Sequence, residues 1–177
     1  MKIALIMQNS QMDKKDLVYS ILKEEADLAG HELTDRSGAE SDVEAAVRAA
    51  ELILSGEADY IVSGSANGEG AMIAMNAVRQ IRCGLVNDAV NAYAFTRINA
   101  GNCAVLPFEK IFSYCPELNL HDIFRILLTE ERGAGYPPEA AAGEAYNRGV
   151  LGHVKDLAQR PVAELLENMA QFCAVHR

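Results

Sequence analysis

The sequence predicts a three-layer α/β fold: a doubly wound, five-stranded parallel sheet with extra helices at the C-terminal end. Short apolar runs without polar alternation alternate with longer stretches whose apolar residues recur at helical spacing. Strands buried on both faces and joined by crossover helices have this signature. In addition, a glycine-rich stretch falls where a strand gives way to a helix, between Ser63 and Gly70.

Each element follows in order. Ile3 to Met7 is the first strand, ended by the polar Gln8-Asn9-Ser10. Asp13 is placed to cap a helix whose apolar face is Leu17, Val18, Ile21, Leu22, Ala26 and Ala29, and Gly30 stops it. His31 to Thr34 is a short second strand. Ser41, with Glu44 three residues later, forms a capping box for the second helix, which runs to Ser55-Gly56. Tyr60 to Ser63 is the third strand, and a helix begins near Ala71 after the loop. Cys83 to Val86 and Ala104 to Leu106 are strands four and five, with a helix from Ala89 to Ile98 between them. The winding is Rossmann-like, and ligands of such sheets bind at the carboxyl ends of the strands.

Beyond Pro107 the pattern turns helical over Leu120 to Leu128, Glu139 to Leu157 and Val162 to Cys173. Residues 1–177 are expected to form one domain, with 139–177 a helical extension packing on a neighbouring subunit. The length suits one core, and no repeat or low-complexity tract divides it.

Sixteen Lys and Arg stand against 25 Asp and Glu, a net charge of −9, and no stretch gathers the cations into a stripe. That argues against nucleic acid and anionic membranes as partners, while leaving a local pocket for a small anion open. Cys83, Cys103, Cys115 and Cys173 show no CxxC spacing, and His31, His121, His153 and His176 show no ligand rhythm. No metal is expected, and the cysteines read as reduced thiols, mostly in the core. The apolar start, Met1 to Met7, is too short for a signal or a membrane span, which makes the cytoplasm the expected location.

Ser63-Gly64-Ser65-Ala66-Asn67-Gly68-Glu69-Gly70 places small residues where backbone N–H groups can converge near a helix N-terminus. A phosphate turn needs only the glycines, yet this loop adds a hydroxyl, an amide and a carboxylate. A carboxylate beside converging donors can take a proton from a carbon next to a carbonyl while the donors hold the enediolate oxyanion. On spacing alone, a plainer reading stays open: the glycines serve a tight turn and Glu69 complements the helix dipole.

The run Ser65-Ala66-Asn67-Gly68-Glu69-Gly70, then Ile73-Ala74-Met75-Asn76, Ile81-Arg82 and Arg97-Ile98-Asn99-Ala100-Gly101-Asn102, resembles the ribose-5-phosphate isomerase B family, which includes the galactose-6-phosphate isomerase subunits. The resemblance covers roughly residues 1–155 and is strongest from Ser63 to Pro107. It implies an aldose–ketose isomerase acting on a small, phosphorylated sugar through a cis-enediolate, without metal or organic cofactor, and assembled as a homodimer or higher homo-oligomer. Glu69 is the implied base and Ser65 a supporting hydroxyl. Gln8, Asn9, Ser10, Ala66, Asn67, Gly68, Gly70 and Asn99 are the implied substrate neighbours; Arg97 and Arg132 are candidate anion contacts in place of the family's arginines, with a solvated surface charge the plainer reading of each.

The chain also departs from the family. Gln8 and Asn9 stand where the family has an Asp-His pair, and Ile98 stands where it has the histidine credited with ring opening. The C-terminal arginines that hold phosphate in the family have no clear equivalents: Ala140 and Tyr146 stand near the expected places, and only Arg148 is basic in 138–148. These departures keep two further readings open: a subunit that needs a partner chain to complete its site, and a non-catalytic sugar-phosphate binder.

Overall fold

The computed structural model describes residues 1–175. Five strands, β1 (Lys2–Met7), β2 (Glu32–Asp35), β3 (Tyr60–Ser65), β4 (Cys83–Leu85) and β5 (Cys103–Pro107), form one sheet in the order β2-β1-β3-β5-β4, every neighbouring pair parallel. The chain leaves β1 toward β2 and returns to β3 on the other side. The order therefore reverses between β1 and β3, the place where such sheets open a crevice at their carboxyl ends.

Successive side chains along each strand serve opposite layers. Ile3, Leu5, Met7, Tyr60, Val62, Ala104 and Leu106 pack in one layer with α1 (Lys15–Leu28), α4 (Ala89–Ala94) and α6 (Pro116–Thr129). Ala4, Ile6, Ile61, Cys103 and Val105 pack in the other with α2 (Asp42–Ser55) and α3 (Glu69–Asn76). The short α5 (Phe108–Ile111) follows β5 directly and buries Phe108 in the first layer.

Several local expectations hold. Ser41 Oγ accepts the Glu44 N–H at 3.1 Å, and α2 ends at Gly56 in the left-handed region. Cys83 and Cys103 are buried free thiols, whereas Cys115 is exposed; the Cys173 side chain lies outside the described residues. No described helix is long and apolar enough to cross a membrane.

Others shift. A 3-10 turn over Asn9–Lys14 leads into α1, so Asp13 pairs with Lys14 at 3.0 Å rather than capping the helix. The third strand runs on to Ser65 because Ser63, Gly64 and Ser65 pair on one or both sides, with Ile6 and Met7 of β1 and with Val105, Leu106 and Pro107 of β5. The predicted helix from Ala89 to Ile98 is α up to Ala94 and a π turn over Phe95–Asn99, ended by Ala100 at φ +50°. Helix α6 begins four residues earlier than its apolar periodicity suggests, because Pro116 occupies its first turn.

The C-terminal extension does not behave as one unit. Helix α8 (Val162–Val175) folds back on its own chain, with Val162 buried beside α2 and Leu165 and Leu166 packed against the same layer. Helix α7 (Ala141–Ala158) buries no side chain fully. Polar contacts hold it: Lys155 Nζ donates to the carbonyls of Val78 and Ile81, Arg79 pairs with Asp156 at 2.7 Å, and Arg148 donates to Ile98 O at 2.6 Å. Tyr146, Val150, Val154 and Leu157 leave an apolar stripe facing outward.

Gly64 lies under the Phe108 ring, and a Cβ there would sit 2.3 Å from two ring carbons. Gly64→Ala is expected to cost about 1–3 kcal/mol through this overpacking, read as a lower denaturation midpoint at unchanged m-value.

Candidate active site

The loop between β3 and α3 is built by its own side chains. Ser65, 4% exposed at the end of β3, accepts the Gly68 N–H on its Oγ at 3.2 Å. Asn67 Oδ1 accepts the Glu69 N–H at 3.2 Å, and Ala66 O accepts the N–H of Glu109 at 2.9 Å, tying the loop to α5. Gly68 caps α3 at φ +80° with a Cβ position only 2.4 Å from Leu85 Cδ1, so both conformation and space require glycine. Glu69 is the first residue of α3 and is exposed.

This corrects one detail of the expected nest. The N–H groups of Gly68 and Glu69 are already taken by Ser65 and Asn67, which leaves those of the next residues, Gly70 and Ala71, in the first turn that a helix does not pair internally. The Asn67 amide, with its oxygen engaged, keeps an NH₂ group as a further donor.

Gln8, Asn9 and Ser10 stand beside this loop, since Met7 pairs with Gly64. Gln8 Nε2 donates to Asp42 Oδ1, and its own Oε1 accepts from Ser10 Oγ at 3.4 Å. Asn9 is held by its N–H to Ala39 O at 2.8 Å and by its side chain to Glu40. Asp42, the first residue of α2, thus enters the site. Burial pushes its carboxyl above the usual 3.8, against a lowering hydrogen bond from the Ser65 hydroxyl. A Cβ on Gly70 would come within 2.4 Å of Asp42 Oδ2, which explains the glycine there.

On the other side, Glu69 lines a concavity of about 310 Å³ with Ala66, Asn67, Leu85, Asn87, Glu109 and Lys110. It opens at the carboxyl ends of β3, β4 and β5. Asp42, Asn87 and Lys110 did not stand out in the sequence. An acidic residue in the first turn of α2 reads as a dipole complement, and Lys110 reads as a surface cation.

Arg97, Asn99 and Arg132 are placed at the opposite end of the sheet, about 17 Å away along a six-residue strand. Arg97 donates to Gly135 O at 3.2 Å, pairs with Glu130 at 3.2 Å and lies over the Tyr93 ring. Asn99 is exposed just before β5, and its carbonyl accepts from Arg82 at 3.0 Å. Arg132 stacks on Tyr60, the first residue of β3, with 4.2 Å from Cζ to the ring centroid. Within one chain, none of the three joins the loop. The described residues hold no cluster of three or more His, Cys, Asp or Glu able to bind a metal.

The family model for ribose/galactose isomerases matches residues 3–124, a span that includes β1, the loop and all five strands. The chain belongs to the ribose/galactose isomerase family. Two solved structures extend the family likeness over nearly the whole chain. A 4-deoxy-L-threo-5-hexosulose-uronate ketol-isomerase, solved with a tartrate, is 38% identical at a TM-score of 0.89, covering 94% of this chain and 82% of its own. A ribose-5-phosphate isomerase from Vibrio parahaemolyticus is 33% identical at a TM-score of 0.92, covering 97% and 84%. The type B ribose 5-phosphate isomerase of Leishmania infantum, 20% identical at a TM-score of 0.72 over 88% of this chain and 96% of its own, shares the fold. No curated protein matches the sequence. As a ribose/galactose isomerase family member, the chain is an aldose–ketose sugar isomerase, an intramolecular oxidoreductase.

A raised Asp42 pKa means that the native state binds the proton more tightly than the unfolded chain. Its contribution to stability is present below the unfolded value of 3.8 and is lost as the pH rises through the native value. Asp42→Asn is therefore expected to raise the denaturation midpoint at about pH 7 and to change it little near about pH 3.

Proposed function

We infer that this family member interconverts the aldose and ketose forms of an open-chain sugar acid through a cis-enediolate, with Glu69 as the base. The observation that carries the reading is the position of Glu69, on the first turn of α3 and in the wall of a concavity that also holds Asn67 and Lys110. The carboxylate takes the proton from the carbon beside the carbonyl and returns it to the neighbouring carbon. The first-turn N–H groups of α3 and the Asn67 NH₂ lie on the side where the oxyanion develops, favoured by the positive end of the helix. The carbonyl supplies the acidity, so the step needs no cofactor.

The substrate class rests on charge and on position 98. Lys110 is the one cation among the described residues lining the concavity, and Glu109 shares that wall. One positive charge suits a carboxylate better than a dianionic phosphate. Ile98 has no proton to give, so a sugar that is already open fits this chain. The 38% identical relative is named for a uronate, which carries such a carboxylate. Ribose 5-phosphate, the phosphorylated alternative, is the other arm of the test.

A second copy of the chain is the partner this reading expects. Arg97, Asn99 and Arg132 lie away from the loop of their own chain, a second copy would be needed to bring them to such a loop, and the outward stripe on α7 offers apolar surface for that assembly. The non-catalytic binder makes the opposite prediction for proton exchange.

In D₂O, the protein with 4-deoxy-L-threo-5-hexosulose uronate is expected to place deuterium beside the carbonyl, followed by NMR, and to do so less with ribose 5-phosphate. Glu69→Gln is expected to lower the rate by about 10²–10⁴-fold, and Ser65→Ala by less. Equal exchange in wild type and Glu69→Gln sinks the base assignment; binding without exchange favours the binder. Lys110→Met is expected to raise KM by roughly 10-fold with kcat nearly kept, since an anchor lost equally from ground and transition states appears in KM alone.

A further inference from the structure

A second concavity, of about 470 Å³, opens at the opposite end of the sheet, between α7 and the segments that lead into β4 and β5. Its volume falls within the range of small-molecule sites. Arg79, Arg82 and Lys155 line it, and Asp156 is the one acidic residue of its wall among the described residues. In a chain whose net charge is −9, such a gathering of cations makes a local field opposite in sign to that of the whole.

The fold fixes each of these groups and leaves donors over. Arg82 Nη1 donates to Asn99 O at 3.0 Å and to Ala100 O at 3.2 Å, which pins the guanidinium at the end of the π turn. The Asn102 side chain sets its backbone, accepting the Arg82 N–H at 2.8 Å and donating to Gln80 O at 2.9 Å. Arg82 Nε is closed off from solvent and meets no acceptor among the described residues. A charged donor left in that condition is costly, and an anion oxygen is the acceptor it suits best. Lys155 reaches in from α7, donating to Val78 O at 3.2 Å and to Ile81 O, and an ammonium has a third N–H. Arg79 spends only its Nε, on Asp156 at 2.7 Å, which leaves both of its NH₂ groups. Burial, and after it the nearby Arg82 charge, hold the Lys155 ammonium below its usual range, so the two cations repel each other across this wall. An anion between them relieves the repulsion and takes up the spare donors.

We propose that this concavity is an anion site, separate from the reaction centre, that takes the phosphate group of a small molecule on Arg79, Arg82 and Lys155. Three cations against one carboxylate leave two positive charges in excess, which matches a phosphate dianion better than a single carboxylate. The guanidinium groups offer paired N–H donors to its oxygens, and Lys155 adds a point charge. The proposal does not depend on the proton chemistry at Glu69, because the two sites lie at opposite ends of the sheet. The phosphate arrives either as the free ion or as a monoester.

Calorimetric titration with inorganic phosphate and with glycerol 3-phosphate, at fixed ionic strength, tests the site and separates the two sources. Wild type is expected to bind saturably at one site per chain. Tighter binding of glycerol 3-phosphate assigns the site to monoesters, and equal binding assigns it to the free ion. Arg79→Gln and Arg82→Gln are each expected to weaken binding about tenfold or more, the loss of a charge-assisted hydrogen bond. Asp156→Asn is expected to tighten it several-fold, because a like charge leaves the wall and Arg79 Nε is released. A merely structural contact between Arg79 and Asp156 predicts the reverse, since losing it would loosen α7. Should Arg82→Gln fail to fold, Arg79→Gln and Asp156→Asn decide. Wild type without saturable binding, or unchanged binding in Arg79→Gln, overturns the proposal. So does binding that is lost in Lys110→Met instead, which would place the anion in the concavity beside Glu69.

Discussion

Parallel pairing of β3 between β1 and β5 is the constraint on which the site depends. Met7 lies level with Gly64, and Gly64 with Leu106, so the carboxyl ends of three strands finish at one height. Ser63 Oγ donates to Ile6 O at 2.8 Å, adding a side-chain tie to the backbone ladder at that point. Because side chains alternate along a strand, this register also decides that Ser65 faces the α2 and α3 layer, where Asp42 waits, while Gly64 turns to the Phe108 layer. A slip of one residue would exchange the two faces.

Close approach does the rest. Gly64 beneath Phe108, Gly68 against Leu85 and Gly70 against Asp42 are three places where a methyl group has no room, for three different reasons: an aromatic ring, an aliphatic neighbour in a left-handed turn and a carboxylate. The loop is small because three layers of the fold press upon it. Its side chains then hold it in shape, Ser65 binding Gly68 and Asn67 binding Glu69, which leaves the donors of the first turn of α3 facing the crevice. The loop is preorganised in this sense: most of its polar groups are already spent on its own geometry.

The same topology separates the predicted residues into two groups. Connections after β3 and β5 emerge at the carboxyl ends, with Glu69 and Lys110, whereas the π turn before β5 and the segment after α6 lie at the amino ends, with Arg97, Asn99 and Arg132. Arg97 is held by Glu130, and Arg132 is stacked on Tyr60, whose phenol is pushed far up by burial. Residues that lie close together in a motif list need not meet in one chain. The apolar stripe of α7 stays uncovered within the single chain.

The sequence by itself determined the alternating strands and helices, the capping of α2 by Ser41 and its stop at Gly56, and the loop that carries Ser65, Asn67 and Glu69. Each of these rests on local chemistry: a repeat period, a hydroxyl at a helix start, small residues at a turn. Only the tertiary structure decided that β3 reaches Ser65, that α8 packs on its own α2 while α7 does not bury its face, and that Gln8 at the end of β1 holds the Asp42 carboxylate beside the Gly70 backbone. Gln8 and Asp42 are 34 residues apart, and the bond between them exists because the end of β1 and the start of α2 come to the same end of the sheet. No periodicity records a contact of that kind, since it depends on where the chain returns and not on how any segment of it is composed.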